Sequence, residues 1–209
     1  TISSKVKQTV RKLCAENNIR PYMCDKYAWS DDIYRTIAWD CHGTSVRKYY
    51  DRKQFFTKYL HDWLPLGSLV SKYKPEYTTH CASCHHPMED RQHFLSCPSR
   101  TDWVEKCIGS LNGFFAGFST DPILKTILFN SIRLSADPDN NIMDGFPQEY
   151  DKLIREQSLI GWDQILYGRF ASEWKTMIDK WLSQQRKTKR KSQSGSTWIT
   201  GVTQRIWAC

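Results

Sequence analysis

Apolar side chains recur at helical spacing through most of this chain. Val6, Val10 and Leu13 are separated by four and three residues, which predicts a first helix that ends near Asn17 and Asn18. Residues 19–45 carry apolar anchors without that spacing, so we predict an irregular segment there.

A longer helix is predicted over residues 46–63. Its apolar positions follow helical spacing, and they are Val46, Tyr49, Tyr50, Phe56, Leu60 and Trp63. Four cations, Arg47, Lys48, Arg52 and Lys58, fall on the other side of that helix. We expect Pro65 to stop it, because proline disfavours helical backbone in the residue before it.

The second half of the chain repeats the helical pattern. One helix is predicted around 103–111, and another opens at Asp121 and Pro122, an N-cap followed by a first-turn proline. A last helical region covers about 148–185 and is divided by glycines 161 and 168. Its apolar stripe is predicted to lie in the core and consists of Phe170, Trp174, Met177, Ile178 and Trp181. The predicted fold class is therefore mainly α.

The strongest chemical signal is a cluster of cysteine and histidine. Cys81, Cys84, His93 and Cys97 follow the spacing C-x2-C-x8-H-x3-C. Two cysteines separated by two residues can turn a tight knuckle, and H-x3-C places two ligands one helical turn apart. Three thiolates and one imidazole suit Zn²⁺ in a closed, structural site. We therefore predict a small zinc knuckle at 80–98.

Other ligand sets are compatible with the sequence. His80, His85 or His86 could take the place of His93, and Cys107 could replace Cys97 although it lies about ten residues further on. A cluster that binds no metal is the remaining alternative.

The residues around this cluster resemble a known family. The chain carries Phe55-Phe-Thr-Lys58, His61-Asp-Trp63-Leu-Pro-Leu-Gly67, the C-x2-C pair, Glu89-Asp90 and His93-Phe-Leu-x-Cys97-Pro98. This order is similar to the zinc-binding region downstream of reverse transcriptase in non-LTR retrotransposons. Residues 47–100 resemble it well, and the stretch from Gln157 to Trp162, with Gly168, Arg169 and Trp174, resembles flanking sequence of such elements more loosely.

The resemblance implies a non-catalytic segment that accompanies a polymerase and helps to hold nucleic acid. Its metal ligands would be Cys81, Cys84, His93 and Cys97. The parent polyprotein would be an RNA-directed DNA polymerase, yet this chain has no Y-x-D-D carboxylate pair. We assign no catalytic residue and expect the isolated chain not to be an enzyme, because two-metal phosphoryl chemistry needs such carboxylates.

Charge adds a possible partner. The 209 residues carry a net charge of +8, and the excess is segregated, since residues 1–80 hold 14 basic and eight acidic side chains and 184–209 hold six basic and none acidic. We predict low-specificity binding of RNA or DNA, because phosphate contacts fix a strand without reading its sequence. The predicted contacts are Arg47, Lys48, Arg52, Lys58, Lys187, Lys189, Arg190 and Lys191. The run 187–191 could equally be a nuclear-targeting signal or a solvated linker.

Composition bounds the remaining expectations. No apolar run approaches the roughly 18–20 residues of a membrane span. Eight cysteines without a secretory signal favour a reducing, intracellular compartment, with the nucleus as one option.

We predict an N-terminal helix and irregular segment at 1–45, a helical domain at 46–183, and a disordered basic linker with a truncated segment at 184–209. The chain begins at Thr1, and we expect it to be a piece of a longer polyprotein. The alternative function is a protein–protein interaction module or an inactive remnant of a retroelement.

Overall fold

The computed structural model describes residues 18–100, 102–139, 143–185 and 193–209. The protein is mainly α-helical, with 69% of the described residues in helices. Within those ranges the only β-type pairing is an isolated antiparallel bridge between Ile37 and Ala171. The predicted fold class is confirmed. The predicted helix around Val6 and the basic run 187–191 lie outside the described residues.

Eleven α-helices lie in the described part of the chain. They are α1 (18–27), α2 (Asp31–Thr36), α3 (Trp39–Arg47), α4 (Lys53–Leu60), α5 (Gly67–Val70), α6 (Arg91–Ser96), α7 (Asp102–Gly117), α8 (Pro122–Ala136), α9 (Asp151–Ile160), α10 (Ser172–Gln185) and α11 (Gly195–Ile206). Short 3₁₀ helices occur at Tyr50–Arg52, Pro98–Arg100, Gln148–Tyr150 and Trp162–Tyr167. None of the helices in these ranges has both the length and the apolar character needed to cross a membrane.

The prediction of an irregular segment at 19–45 is wrong. Helices α1, α2 and most of α3 occupy this stretch, and Asn18 is itself helical. Isolated anchors rather than a continuous apolar stripe hold it in place. Trp29 is 5% exposed and its indole Nε1 donates to the carbonyl of Ile160, 2.9 Å away. Because contacts with distant residues rather than a periodic apolar stripe hold this stretch, the sequence shows no helical spacing there.

The predicted single helix over 46–63 is also wrong. The chain leaves α3 at Arg47, passes through a 3₁₀ turn and re-enters a helix at Lys53. The amides of Tyr49 and Arg52 bond three residues back instead of four. The ring of Tyr49 lies 4.6 Å from that of Phe56, and its hydroxyl donates to the carbonyl of Gln204 on α11. We attribute the bend to this tertiary anchoring of Tyr49.

The later helices agree with the sequence pattern. Asp121 caps α8, because its Oδ1 accepts from the amide of Ile123, and Pro122 begins that helix. Gly161 and Gly168 separate α9, the 3₁₀ turn and α10, and both have positive φ. Four members of the predicted α10 stripe are buried, and Trp181 packs against the core.

One hydrophobic core joins residues from all three predicted segments. Helix α11 packs against α3, α7 and α10, and the buried ring of Trp198 stacks on that of Trp174 at 5.5 Å. A Cβ at Gly195 would come within 2.3 Å of the backbone carbonyl of Lys175, so α11 begins in direct contact with α10. The C-terminal segment is therefore a structural part of the helical domain.

A buried amide fastens α9 to the start of α10. Gln157 is fully buried, and its Nε2 donates to the carbonyls of Gly161 and Arg169. Its Oε1 accepts from the amide of Ala171 at 2.9 Å and from the indole of Trp174 at 3.1 Å. All four hydrogen-bonding positions of the side chain are thus used.

Candidate metal centre

The four predicted metal ligands converge at one point. The ligand atoms of Cys81, Cys84, His93 and Cys97 all lie within 4.8 Å of one another. The Sγ atoms of Cys81 and Cys97 are 3.9 Å apart, and Nε2 of His93 lies 3.2 Å from Sγ of Cys84. Cys84 alone of the four is only partly buried. This cluster is close enough to hold a metal ion.

The first pair of ligands lies on a tight knuckle. The amide of Cys81 donates to the carbonyl of His86, and the amide of His85 donates to the carbonyl of Cys81. His85 has a φ of 61°, in the left-handed region that few residues other than glycine adopt. This turn brings the two cysteine side chains of C-x2-C to the same side.

The second pair lies on and just after α6. Asp90 is its N-cap, with Oδ1 accepting from the amide of His93 at 2.8 Å, and Cys97 follows the last helical residue. The i,i+4 spacing places His93 and Cys97 on one face of that turn. Asp90, the second residue of the acidic pair, therefore has a structural function, because it caps the start of α6, the helix that carries His93.

Glu89 ties the knuckle to the rest of the protein. Its Oε1 accepts from the guanidinium of Arg100 at 3.0 Å, and its Oε2 accepts from the amide of Gly67 at 3.2 Å. Burial alone would raise the pKa of Glu89, but Arg100 and the Gly67 amide hold it below the ordinary value. A Cβ at Gly67 would lie 2.7 Å from the carbonyl oxygen of Thr79, so only glycine fits there.

The thiols differ in acidity. Burial would raise the pKa of Cys81, but hydrogen bonds from the amides of Cys84 and Ser83 and from His93 lower it to about 6. The amide of His86 favours the thiolate of Cys84, yet desolvation and the neighbouring sulfurs of Cys97 and Cys81 raise its pKa. The thiolate of Cys81 therefore forms easily, and its negative charge disfavours ionisation of Cys84. A bound cation would neutralise this repulsion between thiolates.

None of the alternative ligands belongs to the group whose ligand atoms converge. Cys107 lies in the hydrophobic core on α7, and burial raises the pKa of its thiol to about 12. His86 stacks on His93 with ring centres 4.3 Å apart, while Nδ1 of His80 contacts the hydroxyl of Thr78. The metal-ligand prediction made from spacing is the set that the fold assembles.

The predicted cations are only partly brought together. Lys48 and Arg52 line one open groove of about 660 Å³, whereas Arg47 donates to the hydroxyl of Thr44 on α3 and Lys58 is exposed on α4. The premise that all four share one helix face is wrong, because the chain turns at 48–52. The nucleic-acid contacts predicted at Lys187, Lys189, Arg190 and Lys191 lie outside the described residues.

The groove contains a cation that the sequence did not point to. Arg205 of α11 lines it together with Lys48 and Arg52, and Asp51 is the acidic side chain of the lining. Asp51 and Arg52 are 4.0 Å apart and about three-quarters exposed, so their ion pair is weak. Arg205 was missed because it lies more than 150 positions away in sequence, and only the packing of α11 on α3 brings it here.

Comparisons of this chain with models of protein families, with curated proteins and with solved structures each returned no match.

Proposed function

We propose that this chain is a non-catalytic segment that contains a structural zinc site and binds RNA or DNA with low base specificity. The proposal places it with the zinc-binding region downstream of reverse transcriptase in non-LTR retrotransposons, as part of a larger polyprotein. The observation that supports it most is the convergence of three thiols and one imidazole at the spacing that this resemblance implies.

The donor set fits zinc in type, and the separation of two of its sulfurs fits zinc in size. Thiolates and imidazole favour Zn²⁺ over hard cations such as Mg²⁺ and Ca²⁺. Tetrahedral zinc with Zn–S bonds of about 2.3 Å requires sulfur–sulfur separations of about 3.8 Å. The distance of 3.9 Å between the sulfurs of Cys81 and Cys97 agrees with that requirement. Zinc would complete four-coordination with protein atoms alone, which is the arrangement of a structural site.

We expect purified protein to contain one zinc ion per chain, and Cys84→Ser or His93→Ala to lose it. Removal of one ligand leaves three donors and an open position, which weakens retention of the metal. Elemental analysis after extensive dialysis measures the stoichiometry. Substitution with Co²⁺ adds a second readout, since thiolate-to-cobalt charge-transfer absorption reports the sulfur ligands. His80→Ala is the control and should keep the metal. An unchanged zinc content in both ligand variants would show that the ligand set is wrong.

Nucleic-acid binding is supported by the groove that α3, the turn at 50–52 and α11 form. Its three cations, Lys48, Arg52 and Arg205, oppose one exposed carboxylate. Nζ of Lys48 contacts Oε1 of Gln204 at 2.7 Å, which holds the ammonium at the edge of the groove without neutralising it. Lysine and arginine bind phosphates by releasing condensed counterions, and this binding is insensitive to sequence.

We expect Arg205→Glu and Lys48→Glu to weaken the binding of labelled RNA and DNA. Each lost phosphate contact should reduce the slope of log affinity against log salt by about 0.7–0.9. Titrations at four or more salt concentrations measure this slope. Arg47→Glu is the matched control, because it reverses the same type of charge outside the groove. Equal effects of Arg47→Glu and Arg205→Glu would indicate a general charge effect and would contradict the groove assignment.

A protein partner is the second candidate function. An apolar pocket of about 420 Å³ lies between α4, α6, α7 and the end of α11, and its walls include Phe55, Phe94, Trp103 and Trp207. Such a concave apolar surface suits an anchoring side chain of another protein. This alternative gains weight if the chain binds neither RNA nor DNA at low salt.

A further inference from the structure

Three aromatic side chains in the stretch that precedes the metal centre in sequence extend into solvent. Trp63 and Tyr77 are each 52% exposed, and Tyr73 is 80% exposed, the highest value among the large apolar side chains of the described ranges. None of the three belongs to the hydrophobic core or packs against it. Core packing therefore does not explain why these positions carry large rings.

Cations lie among the exposed rings. Nζ of Lys74 is 5.4 Å from the centre of the Tyr77 ring, and Lys72 is exposed, with no ion-pair partner among the described residues. From residue 63 to residue 77 the sequence has two lysines and one acidic side chain, Glu76, which is exposed. The surface thus combines solvent-exposed rings with a small excess of positive charge, two lysines against one glutamate.

The metal centre holds this surface in place. The amides of Gly67 and Ser68 donate to the side chain and to the backbone carbonyl of Glu89, and the amide of Glu89 donates to the carbonyl of Thr79 at 2.7 Å. Glu89 lies between the two ligand pairs in sequence. Both ends of the segment 67–79 are therefore fastened to the chain that the metal would close, which pre-organises the rings between them.

We propose that the segment 63–77, which we term the aromatic segment, stacks its rings on the bases of a single-stranded RNA or DNA. This inference rests on the proposed nucleic-acid function and adds a substrate class to it. The groove of Lys48, Arg52 and Arg205 would bind phosphates of either a single strand or a duplex. The aromatic segment selects single strands, because only unpaired bases offer a free π-face to a side chain.

The surface fits a nucleic acid better than a protein. Aromatic residues are enriched in both kinds of interface, but lysine is depleted in protein–protein interfaces. Single-stranded nucleic-acid sites instead combine basic side chains with stacking rings. Trp63 also adjoins further rings, since its centre is 5.3 Å from that of His61, which lies 5.7 Å from the ring of Tyr22.

The test compares a single-stranded 12-mer with a duplex of the same sequence, each as RNA and as DNA, on zinc-loaded protein. The wild type should bind the single strands more tightly. The double variant Tyr73→Ala with Tyr77→Ala should lose about 5- to 150-fold in single-strand affinity per stacked base. Its duplex affinity and its salt slope should not change, since no phosphate contact is removed. Tyr73→Phe with Tyr77→Phe is the control and should bind like the wild type, because the rings remain.

The outcomes separate this inference from the proposed function. If the wild type binds single strands and duplexes equally, and the alanine variants bind like the wild type, the stacking surface is refuted while phosphate binding stands. If the wild type binds no nucleic acid at low salt, both fail. Cys84→Ser should reduce single-strand affinity as the alanine variants do, because loss of the metal releases the segment 67–79. A Cys84→Ser variant that loses zinc yet keeps full single-strand affinity would overturn the link to the metal centre.

Discussion

Replacing Gln157 with glutamate should reduce the free energy of unfolding by about 3–5 kcal/mol. The side chain is buried, and its Nε2 donates to the carbonyls of Gly161 and Arg169. Glutamate has nearly the same shape, but it places a second oxygen against two carbonyl oxygens and brings a carboxylate into the core. Urea unfolding with zinc present measures the loss.

The control for this prediction is Gln54→Glu, the same change at an exposed position of α4. It should alter the free energy of unfolding by less than about 0.5 kcal/mol. A loss below about 1.5 kcal/mol for Gln157→Glu would mean that the buried amide does not fasten α9 to α10 as the hydrogen bonds indicate.

Asp62→Ala should be nearly as damaging, at about 3–4 kcal/mol. Asp62 joins three parts of the fold, because its carboxylate lies 3.1 Å from Nζ of Lys26 and 3.5 Å from Nε of Arg91, and it accepts hydrogen bonds from the hydroxyls of Tyr27 and Tyr167. Removing it takes this partner from two hydroxyls and from two cations, of which Arg91 keeps Asp163 and Lys26 keeps the carbonyl of His61. Its φ of 55° adds strain for alanine, whereas aspartate and asparagine tolerate this conformation.

Two further variants test the origin of that loss. Asp62→Asn keeps the tolerance of positive φ and one acceptor oxygen, so it should lose less stability than Asp62→Ala. Asp51→Ala removes an exposed carboxylate whose ion pair with Arg52 is 4.0 Å long, and it should cost less than about 0.5 kcal/mol. Equal losses in Asp62→Ala and Asp51→Ala, read from urea unfolding, would refute the bridging function.

The free energy of unfolding, measured in urea at several pH values, should fall in acid because Asp62 becomes protonated. Burial alone would raise the pKa of Asp62, but Arg91 and Lys26 lower it below the ordinary value. A lowered pKa means that the folded state binds fewer protons than the unfolded state near pH 4, so this contribution is complete above that pH and is lost as the pH falls further. It should be absent from Asp62→Ala.

Three residues between Gln157 and Trp174, in the stretch whose family resemblance is looser, have a structural function in the core. Gln157, Arg169 and Trp174 lie in one buried network, and the guanidinium of Arg169, 1% exposed, donates to Oε1 of Gln164 and to the carbonyl of Leu60. Arg169 thereby connects the end of α4 to the turn before α10. These residues were not identified as a network from the sequence, because buried hydrogen bonds between distant positions leave no periodic pattern.

The sequence by itself determined the features that depend on near neighbours. Helices α7, α8 and α10 follow from apolar spacing and from the Asp121–Pro122 cap, since a helix buries one face at intervals of three and four. The metal ligands follow from their spacing as well, because the knuckle and α6 are each shorter than 20 residues and place their side chains locally. Short-range geometry therefore predicted this ligand set, and the fold distinguished it from the alternatives with another histidine or Cys107.

Only the tertiary structure decided the rest. Tyr49 bends the predicted helix at 48–52 because its hydroxyl and ring contact α11, a helix about 150 residues away. The same contact brings Arg205 beside Lys48 and Arg52, so the composition of the groove depends on how α11 packs. Trp29, an anchor without helical spacing, lies between α1 and α2 and is held by a buried hydrogen bond to the carbonyl of Ile160. Such contacts join positions whose separation in sequence carries no information about their distance in space, which is why local patterns could not predict them.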